Sequence, residues 1–515
     1  MDIPSASRFS TLRSDVFAGT VVFLVALPLC LGIATASGVE PFAGLVSGVV
    51  GGLVVALLSG SHLSVSGPAA GLVVIVVSAI ASLGSFSAFL AAVLIAGALQ
   101  LGFGLLRAGR LASFVPAPVI KGMLASIGII LILKQLPLGV GLVAGADAKA
   151  IHAGALSTPL GNILPISLAL CVTSVALLFA WETPRAKRFA FVRNVPGPLA
   201  AVALGIGVTL LLDRLAPSLA TPVEHRVSLV ALDSVDALVA ALSAPDFTQL
   251  VDPDVWRVAV TLAIVASLET LLSLEALERI DPKRRRVSPD RELKAQGAGN
   301  VVAALLGGLP LTAVIVRSSA NVHAGAQTRM SAVIHGVLLL ASVFALTAVL
   351  NLIPLASLAA ILIHTGYKLA KPRLFIELAR QGLDRFVPFA ATIVGVLATD
   401  LLVGIGIGIA TSILFALRVS LARTFVLTRH DDYFLLSMRK DATFFTKPML
   451  VHCLAQIPER STVLIDAERA DFIDGDIRET IDAFVHEAAQ RHITVERWRW
   501  PDTLQLSLPV SSSMK

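Results

Sequence analysis

Runs of roughly 20 apolar residues, the length of a bilayer-crossing helix, recur along this 515-residue chain between short charged loops. Inside a bilayer the backbone has no water to bond with. Its N–H and C=O groups must be satisfied internally, so only helices and closed barrels span. Runs of this length select helices. Composition agrees: 56% of residues are hydrophobic and 15% are charged, against about 25% charged in soluble domains. The chain therefore reads as an all-α polytopic membrane protein with about 14 transmembrane segments. They start near Val16, Phe42, Pro68, Phe86, Pro118, Ile163, Pro198, Val255, Ala295, Arg317, Ser331, Pro354, Phe386 and Gly404, and the third and tenth are short.

Basic residues collect in cytoplasmic loops. Arg107, Arg110, Arg185, Lys187, Arg188, Arg193, Lys283, Arg284, Arg285, Arg286, Lys368, Lys371, Arg373, Arg418 and Arg423 fall on the side of the N-terminus. The opposite loop over residues 213–254 carries Asp213, Glu224, Asp233, Asp236, Asp246, Asp252 and Asp254 against Arg214 and Arg226. Both termini are expected in the cytoplasm, with the protein in the cell inner (plasma) membrane. Seven segments per half is an odd number, so the halves form a 7+7 inverted repeat, about 12–215 and 252–428 within a membrane domain of residues 1–428. From His430 charge rises and long apolar runs stop. Strands at 433–438, 462–466 and 493–498 alternate with helices at 446–456 and 476–490, which predicts a small cytoplasmic α/β domain over 430–505. Residues 506–515 read as a tail.

Two interrupted apolar stretches, residues 64–71 and 307–320, stand at matching places in the halves. Irregular backbone at membrane depth is tolerated only where it is buried in protein or lines a cavity. A matched pair of breaks points to a transporter's substrate site. A helix starting inside the membrane presents free N–H groups and a partial positive charge, so two such ends can bind an anion. The candidate substrate-binding residues are Ser64, Ser66, Gly67, Pro68, Ala69, Val314, Ile315, Val316 and Arg317. Ser64 and Ser66 are read as caps of the first half-helix, and Pro68 as its first helical residue. A packing kink is the plainer alternative.

Glu269 lies near the middle of the eighth segment, with Ser273 one turn later on the same face. An intramembrane carboxylate is costly and is a functional hypothesis by default. Desolvation favours its protonated form and thus uptake of a proton with the anion. Its structural alternative is a partner for Arg317, which either attracts anions or neutralises Glu269. Glu275 and Glu278 read as interfacial charges, and Lys121 as a snorkelling helix-end residue. Asn321 suits a hydrogen bond across helices. The series Gly44, Gly48, Gly52 and the run Gly404, Gly406, Gly408 read as close-packing surfaces. Cys30, Cys171 and Cys453 have no metal or redox spacing and read as small buried hydrophobes. No metal site, cofactor or nucleic-acid partner is expected.

Several motifs together resemble the sulfate permease family of anion transporters, related to the solute carrier 26 proteins. They are Val25-Ala-Leu-Pro28-Leu-Cys-Leu-Gly-Ile-Ala34, Ser64-Val-Ser-Gly-Pro68-Ala-Ala-Gly71, Pro118-Val-Ile-Lys-Gly122 with Gln135-Leu-Pro137, and Ser267-Leu-Glu269-Thr-Leu-Leu-Ser273. Further along stand Gln296-Gly-Ala-Gly-Asn300, Gly307-Gly-Leu-Pro310 and Arg317-Ser-Ser-Ala-Asn321-Val-His-Ala-Gly325. The end resembles a shortened STAS domain through Val463-Leu-Ile-Asp466 and Phe472-Ile-Asp474, with Gly475 where family members often carry Ser or Thr. The resemblance implies core and gate domains, an elevator-like movement of the core, and a homodimer. It implies substrates such as sulfate, bicarbonate, chloride or dicarboxylates. Sodium-coupled relatives use an acid like Glu269, a hydroxyl like Ser273 and small polar residues before the tenth segment. Here Val314, Ile315 and Val316 stand there, so H+ is favoured over Na+ as the coupling ion.

Three functional classes compete. A secondary anion transporter fits the paired breaks, the intramembrane acid and the lack of a nucleotide-phosphate loop. A membrane enzyme needs catalytic His, Asp or Cys gathered at one depth, and the 10 His are scattered. An uncoupled exchanger or channel-like protein would keep the anion site and dispense with coupling.

Overall fold

A computed structural model describes residues 8–109, 115–142, 163–189, 191–192, 195–230, 241–421 and 424–499. Arg110, Arg193, Asp233, Asp236, Arg423 and the expected tail lie outside the described residues. The chain divides into two compact units, residues 1–409 and 410–515.

The first unit is helical apart from one short ribbon. Its helices are α1 (Arg8–Ala36), α2 (Pro41–Leu58), α3 (Ala70–Leu83), α4 (Phe86–Leu105), α5 (Ala117–Gly139), α6 (Pro165–Trp181) and α7 (Gly197–Leu215). The chain continues with α8 (Pro253–Ile280), α9 (Pro289–Leu305), α10 (Ile315–His323), α11 (Met330–Ala345), α12 (Leu355–Leu369), α13 (Leu383–Ala398) and α14 (Leu401–Leu421), whose residues from Ala410 on fall in the second unit, and with short helices at Thr347–Leu350 and Pro372–Gln381. Among the described residues, 7 helices are long and apolar enough to cross a membrane. With the apolar composition this makes a multi-pass membrane protein.

Small residues set the closest helix approaches, since packing between membrane helices relies on van der Waals fit. A Cβ on Gly44 would stand 2.1 Å from the Cys30 carbonyl oxygen of α1, and one on Gly52 would stand 2.5 Å from the Gly336 Cα of α11. A Cβ on Gly97 of α4 would meet Val301 N at 2.7 Å. One on Gly297 of α9 would meet Leu101 N at 2.6 Å. These contacts leave α2 wedged between α1 and α11, and α4 flat against α9. The expected close packing at Gly404 and Gly408 is seen against Val396 and Thr392, while Gly406 faces open space.

Two strands, β1 (Ser66–Pro68) and β2 (Leu311–Ala313), pair antiparallel, Ser66 with Ala313, Gly67 with Thr312 and Pro68 with Leu311. This corrects the reading of Pro68 as the first residue of a helix. Its missing N–H suits a helix start, but here it lies in the ribbon and the α3 helix begins at Ala70. Arg317 likewise sits inside the first turn of α10 rather than opening it. The ribbon rests on a π-helical turn of α2, residues 51–55, where a Cβ on Gly51 would stand 2.3 Å from the Ser66 carbonyl oxygen.

The second unit carries a four-stranded sheet in the order β3 (Phe425–His430), β4 (Tyr433–Met438), β5 (Thr462–Asp466), β6 (Thr494–Trp498). The first pair is antiparallel and turns at Asp431, whose φ is 52°. The other two pairs are parallel, joined through α15 (Lys447–Ala455) and α16 (Gly475–Gln490). Phe434, Leu436 and Met438 alternate inward along β4 and meet Val463, Ile465, Leu450, Ile477 and Ile481 in one core. Asp474 caps α16 by accepting from Asp476 N at 3.0 Å. The strand β3 is the element absent from the sequence-based expectation.

Candidate functional site

Each ribbon strand feeds a helix. β1 leads through Ala69 into α3, and β2 leads through Val314 into α10. Val314 N donates to Val65 O at 3.0 Å, which lengthens the pairing by one bond. The strands run antiparallel, so the two helices leave from opposite ends of the ribbon. The first N–H groups of each helix lack intrahelical acceptors and carry its positive pole. Two stretches about 250 residues apart in sequence thus place two such poles on one buried ribbon.

The structure sorts the candidate residues by exposure. Ser64, Ser66, Gly67, Pro68, Ala69 and Arg317 are buried, Val314 and Ile315 half-buried, and Val316 is 37% exposed. The serines do not cap α3, contrary to expectation. Ala69 stands at the cap position with no side-chain cap bond. The Ser66 Oγ instead accepts from Gln296 Nε2 at 2.7 Å, and the Ser64 Oγ has no partner. The ribbon ends the serines' access to the helix start, because the chain is extended for three residues between them.

Arg317 is fully buried. Its Nη2 donates to Pro68 O at 3.4 Å, while Nε and Nη1 have no partner. A Cβ on Gly67 would stand 2.2 Å from Nη1. Glu269 does not neutralise it: among the described residues no ion pair joins them, and Glu269 Oε2 is buried without a partner. The carboxylate lies instead against the start of α3, where a Cβ on Gly71 would be 2.8 Å from both oxygens. Ser273 is buried one turn further along α8. Glu275 pairs with Arg279 at 2.5 Å and Glu278 accepts from Val287 N at 2.8 Å, which fits peripheral charges. Asn321 donates to Leu63 O at 3.0 Å, a bond to the segment before β1 rather than to another helix.

Other polar residues around the ribbon are not in the candidate set. Asn300 accepts from Leu311 N at 2.7 Å and donates to Leu311 O at 3.1 Å and to Gln100 Oε1 at 2.7 Å. Thr270 Oγ1 accepts from Ala313 N at 3.3 Å. Ser318 Oγ accepts from Val65 N at 3.0 Å. Glu292, on the same face of α9 as Gln296 and Asn300, is fully buried. His335 of α11 is fully buried with both ring nitrogens unpartnered and lies within electrostatic reach of Arg317. The spacing Glu292, Gln296, Asn300 is the signal that could have found this stripe: i, i+4, i+8 is one helix face.

The sulfate permease family profile matches residues 12–392. A putative sulfate transporter of Bacillus subtilis, YvdB, is 29% identical over 413 residues, covering 79% of this chain and 74% of the relative. The transmembrane domain of a cyanobacterial bicarbonate transporter, BicA, superposes with a TM-score of 0.65 at 25% identity, covering 79% of this chain and 98% of that one. SLC26A9 shares the fold with a TM-score of 0.73 at 15% identity, covering 96% of this chain and 85% of that one. These relatives are transporters rather than enzymes, and the chain belongs to the sulfate permease family.

Proposed function

We propose that this protein is a secondary active transporter of small anions. The carrying observation is the β1–β2 ribbon, with two helix starts and the buried, incompletely bonded Arg317 beside it. An anion near the helix starts would meet backbone N–H groups and the field of a guanidinium that pairs with no carboxylate among the described residues. Ser66, Gly67, Ala69, Val314, Ile315 and Val316 would surround it, with Arg317 behind Gly67. Sulfate, bicarbonate, chloride and dicarboxylates are the candidate substrates, since backbone poles read charge more than identity.

In this reading, Glu269 couples transport to a cation, with H+ favoured over Na+. Its carboxylate lies at the start of α3, the same positive pole that would attract the substrate. A charged carboxylate and a substrate anion repel each other there. Protonation removes that repulsion, so anion and proton would travel together. The broader architecture follows from the same reading: about 14 crossings in a 7+7 inverted repeat, both termini cytoplasmic, an elevator movement of a core against a gate, and a homodimer. The sheet of the second unit would be a STAS-like domain outside the transport path.

Purified protein in liposomes tests this directly. Labelled bicarbonate, sulfate, chloride and succinate would be supplied with and without H+ or Na+ gradients. Accumulation of at least one anion driven by an inward proton gradient is expected. Accumulation of none overturns the reading. Accumulation that follows sodium alone overturns the proton assignment. Replacing Glu269 with Gln should abolish gradient-driven accumulation while anion exchange persists.

A further inference from the structure

Glu292 of α9 has no part in the site as described so far, yet it is wired to it. It is 0% exposed, and all its recorded partners are donors. Ser59 Oγ donates to Oε2 at 2.5 Å, and Gln296 Nε2 donates to Oε1 at 3.1 Å. The Gly60 N–H also points at the carboxyl. Arg291, the preceding residue, is exposed and donates to Leu58 O at 3.2 Å, and among the described residues no ion pair joins it to Glu292.

The same Gln296 Nε2 donates to Ser66 Oγ at 2.7 Å. Helix α9 therefore clamps both ends of the segment between α2 and β1: Glu292 holds Ser59, and Gln296 holds Ser66. The polarity of this chain has a consequence. In its ionised form a carboxylate only accepts, so the amide of Gln296 then turns its nitrogen toward it. That turns an N–H toward Ser66 as well. The Ser66 oxygen is thereby an acceptor, and its own O–H remains a donor. Among the described residues no protein atom accepts that proton.

We infer that Glu292 is a positioning residue for anion binding: acting through Gln296, it fixes the Ser66 hydroxyl as a hydrogen-bond donor to the substrate anion. This rests on the transport reading above. With a neutral amide at position 292, Gln296 could face it with either its oxygen or its nitrogen. When the Gln296 oxygen faces Ser66, the hydroxyl donates inward and presents a lone pair to the anion.

The test is a double-substitution cycle in full-length protein, measuring initial uptake of labelled bicarbonate and of labelled sulfate into liposomes. Glu292→Gln is expected to raise the apparent KM for a transported anion about tenfold, the scale of one hydrogen bond to a charged group. The maximal rate should stay within about twofold. In a Ser66→Ala background the same substitution should add less than about twofold, because the hydroxyl it orients is gone. If Glu292→Gln does not fold, Gln296→Met in the same cycle should give the same lack of additivity. An equal KM penalty in both backgrounds, an unchanged KM, or a loss confined to the maximal rate overturns the inference. Wild-type vesicles that take up neither anion overturn the transport reading and this inference with it. Wild-type uptake with an additive cycle overturns this inference alone.

Discussion

Gly67 and Arg317 share one space: the Nη1 of Arg317 occupies the position beside Gly67 where a side chain would begin, 2.2 Å from an ideal Cβ. Gly67 lies opposite Thr312 in the ribbon, and Arg317 reaches under it from the first turn of α10 to Pro68 O. A residue without a Cβ is what lets the cation approach the ribbon backbone.

Gly67→Ala should therefore displace the guanidinium rather than open the ribbon. Arg317 is fully buried, so it has little room to retreat. Anion uptake into liposomes should fall by more than about tenfold, the effect of losing a close charge at a binding site. Monodispersity and membrane insertion should persist. Uptake within about twofold of wild type would show that Arg317 does not act from this position.

Gly71 stands in the same relation to Glu269. A Cβ at residue 71 would meet both carboxylate oxygens at 2.8 Å. Gly71→Ala should push the acid off the start of α3 and weaken coupling, read as proton-driven accumulation in liposomes. Shortening the acid with Glu269→Asp in the Gly71→Ala background should restore part of that accumulation, since the shorter side chain makes room for the new methyl. A double variant no better than Gly71→Ala would mean that the contact is packing without a coupling role.

How much of this was legible in sequence depends on the length scale of the signal. Long helices announce themselves by apolar length, and α2, α4 and α8 were read near their observed starts. The strands β4 and β5 were read at their observed bounds, because inward apolar residues alternate along β4 and a short apolar run marks β5. The matched breaks were visible too. The ribbon was not: strands of three residues have no period, and their pairing joins segments far apart in the chain. Pro68 also fits a helix start by its missing N–H, so local chemistry pointed the wrong way. Glu292 has the helical spacing of Gln296 and Asn300. Beside Asp290 and Arg291, however, it reads as an ordinary charge at a helix start, and only its burial distinguishes it. Arg317 and Glu269 are both charges within apolar stretches, and sequence cannot tell that they do not pair.

The sheet unit has its own apolar core, so its removal need not disturb helix packing elsewhere. A chain ending at residue 421, after α14 and before β3, should insert and bind anions. Its transport rate in liposomes is expected to fall by no more than about tenfold, as for a regulatory or assembly role that leaves the binding residues in place. Complete loss of anion binding in a truncated protein that inserts and remains monodisperse would place part of the binding site in the last segment.

Asp281 offers a pH-dependent stability test at the end of α8. Burial pushes its carboxyl up, but bonds from Arg285 and from the Lys283 and Arg285 N–H groups outweigh this and hold it below the ordinary Asp value. Arg285 Nε donates to Oδ2 at 2.8 Å, and its Nη1 donates to Gln327 O at 3.0 Å, so the pair ties the α8–α9 loop to the segment after α10. A carboxyl lowered on folding stabilises the folded protein above its unfolded value, about 3.9, and that contribution is lost as pH falls through the folded value. Asp281→Asn should lower the melting temperature of detergent-solubilised protein by a similar amount at pH 6 and pH 8. The gap to wild type should narrow below about pH 4 as the wild-type carboxylate takes up its proton. An equal gap at every pH down to the acid limit of folding would assign the effect to lost hydrogen-bond geometry alone and not to charge.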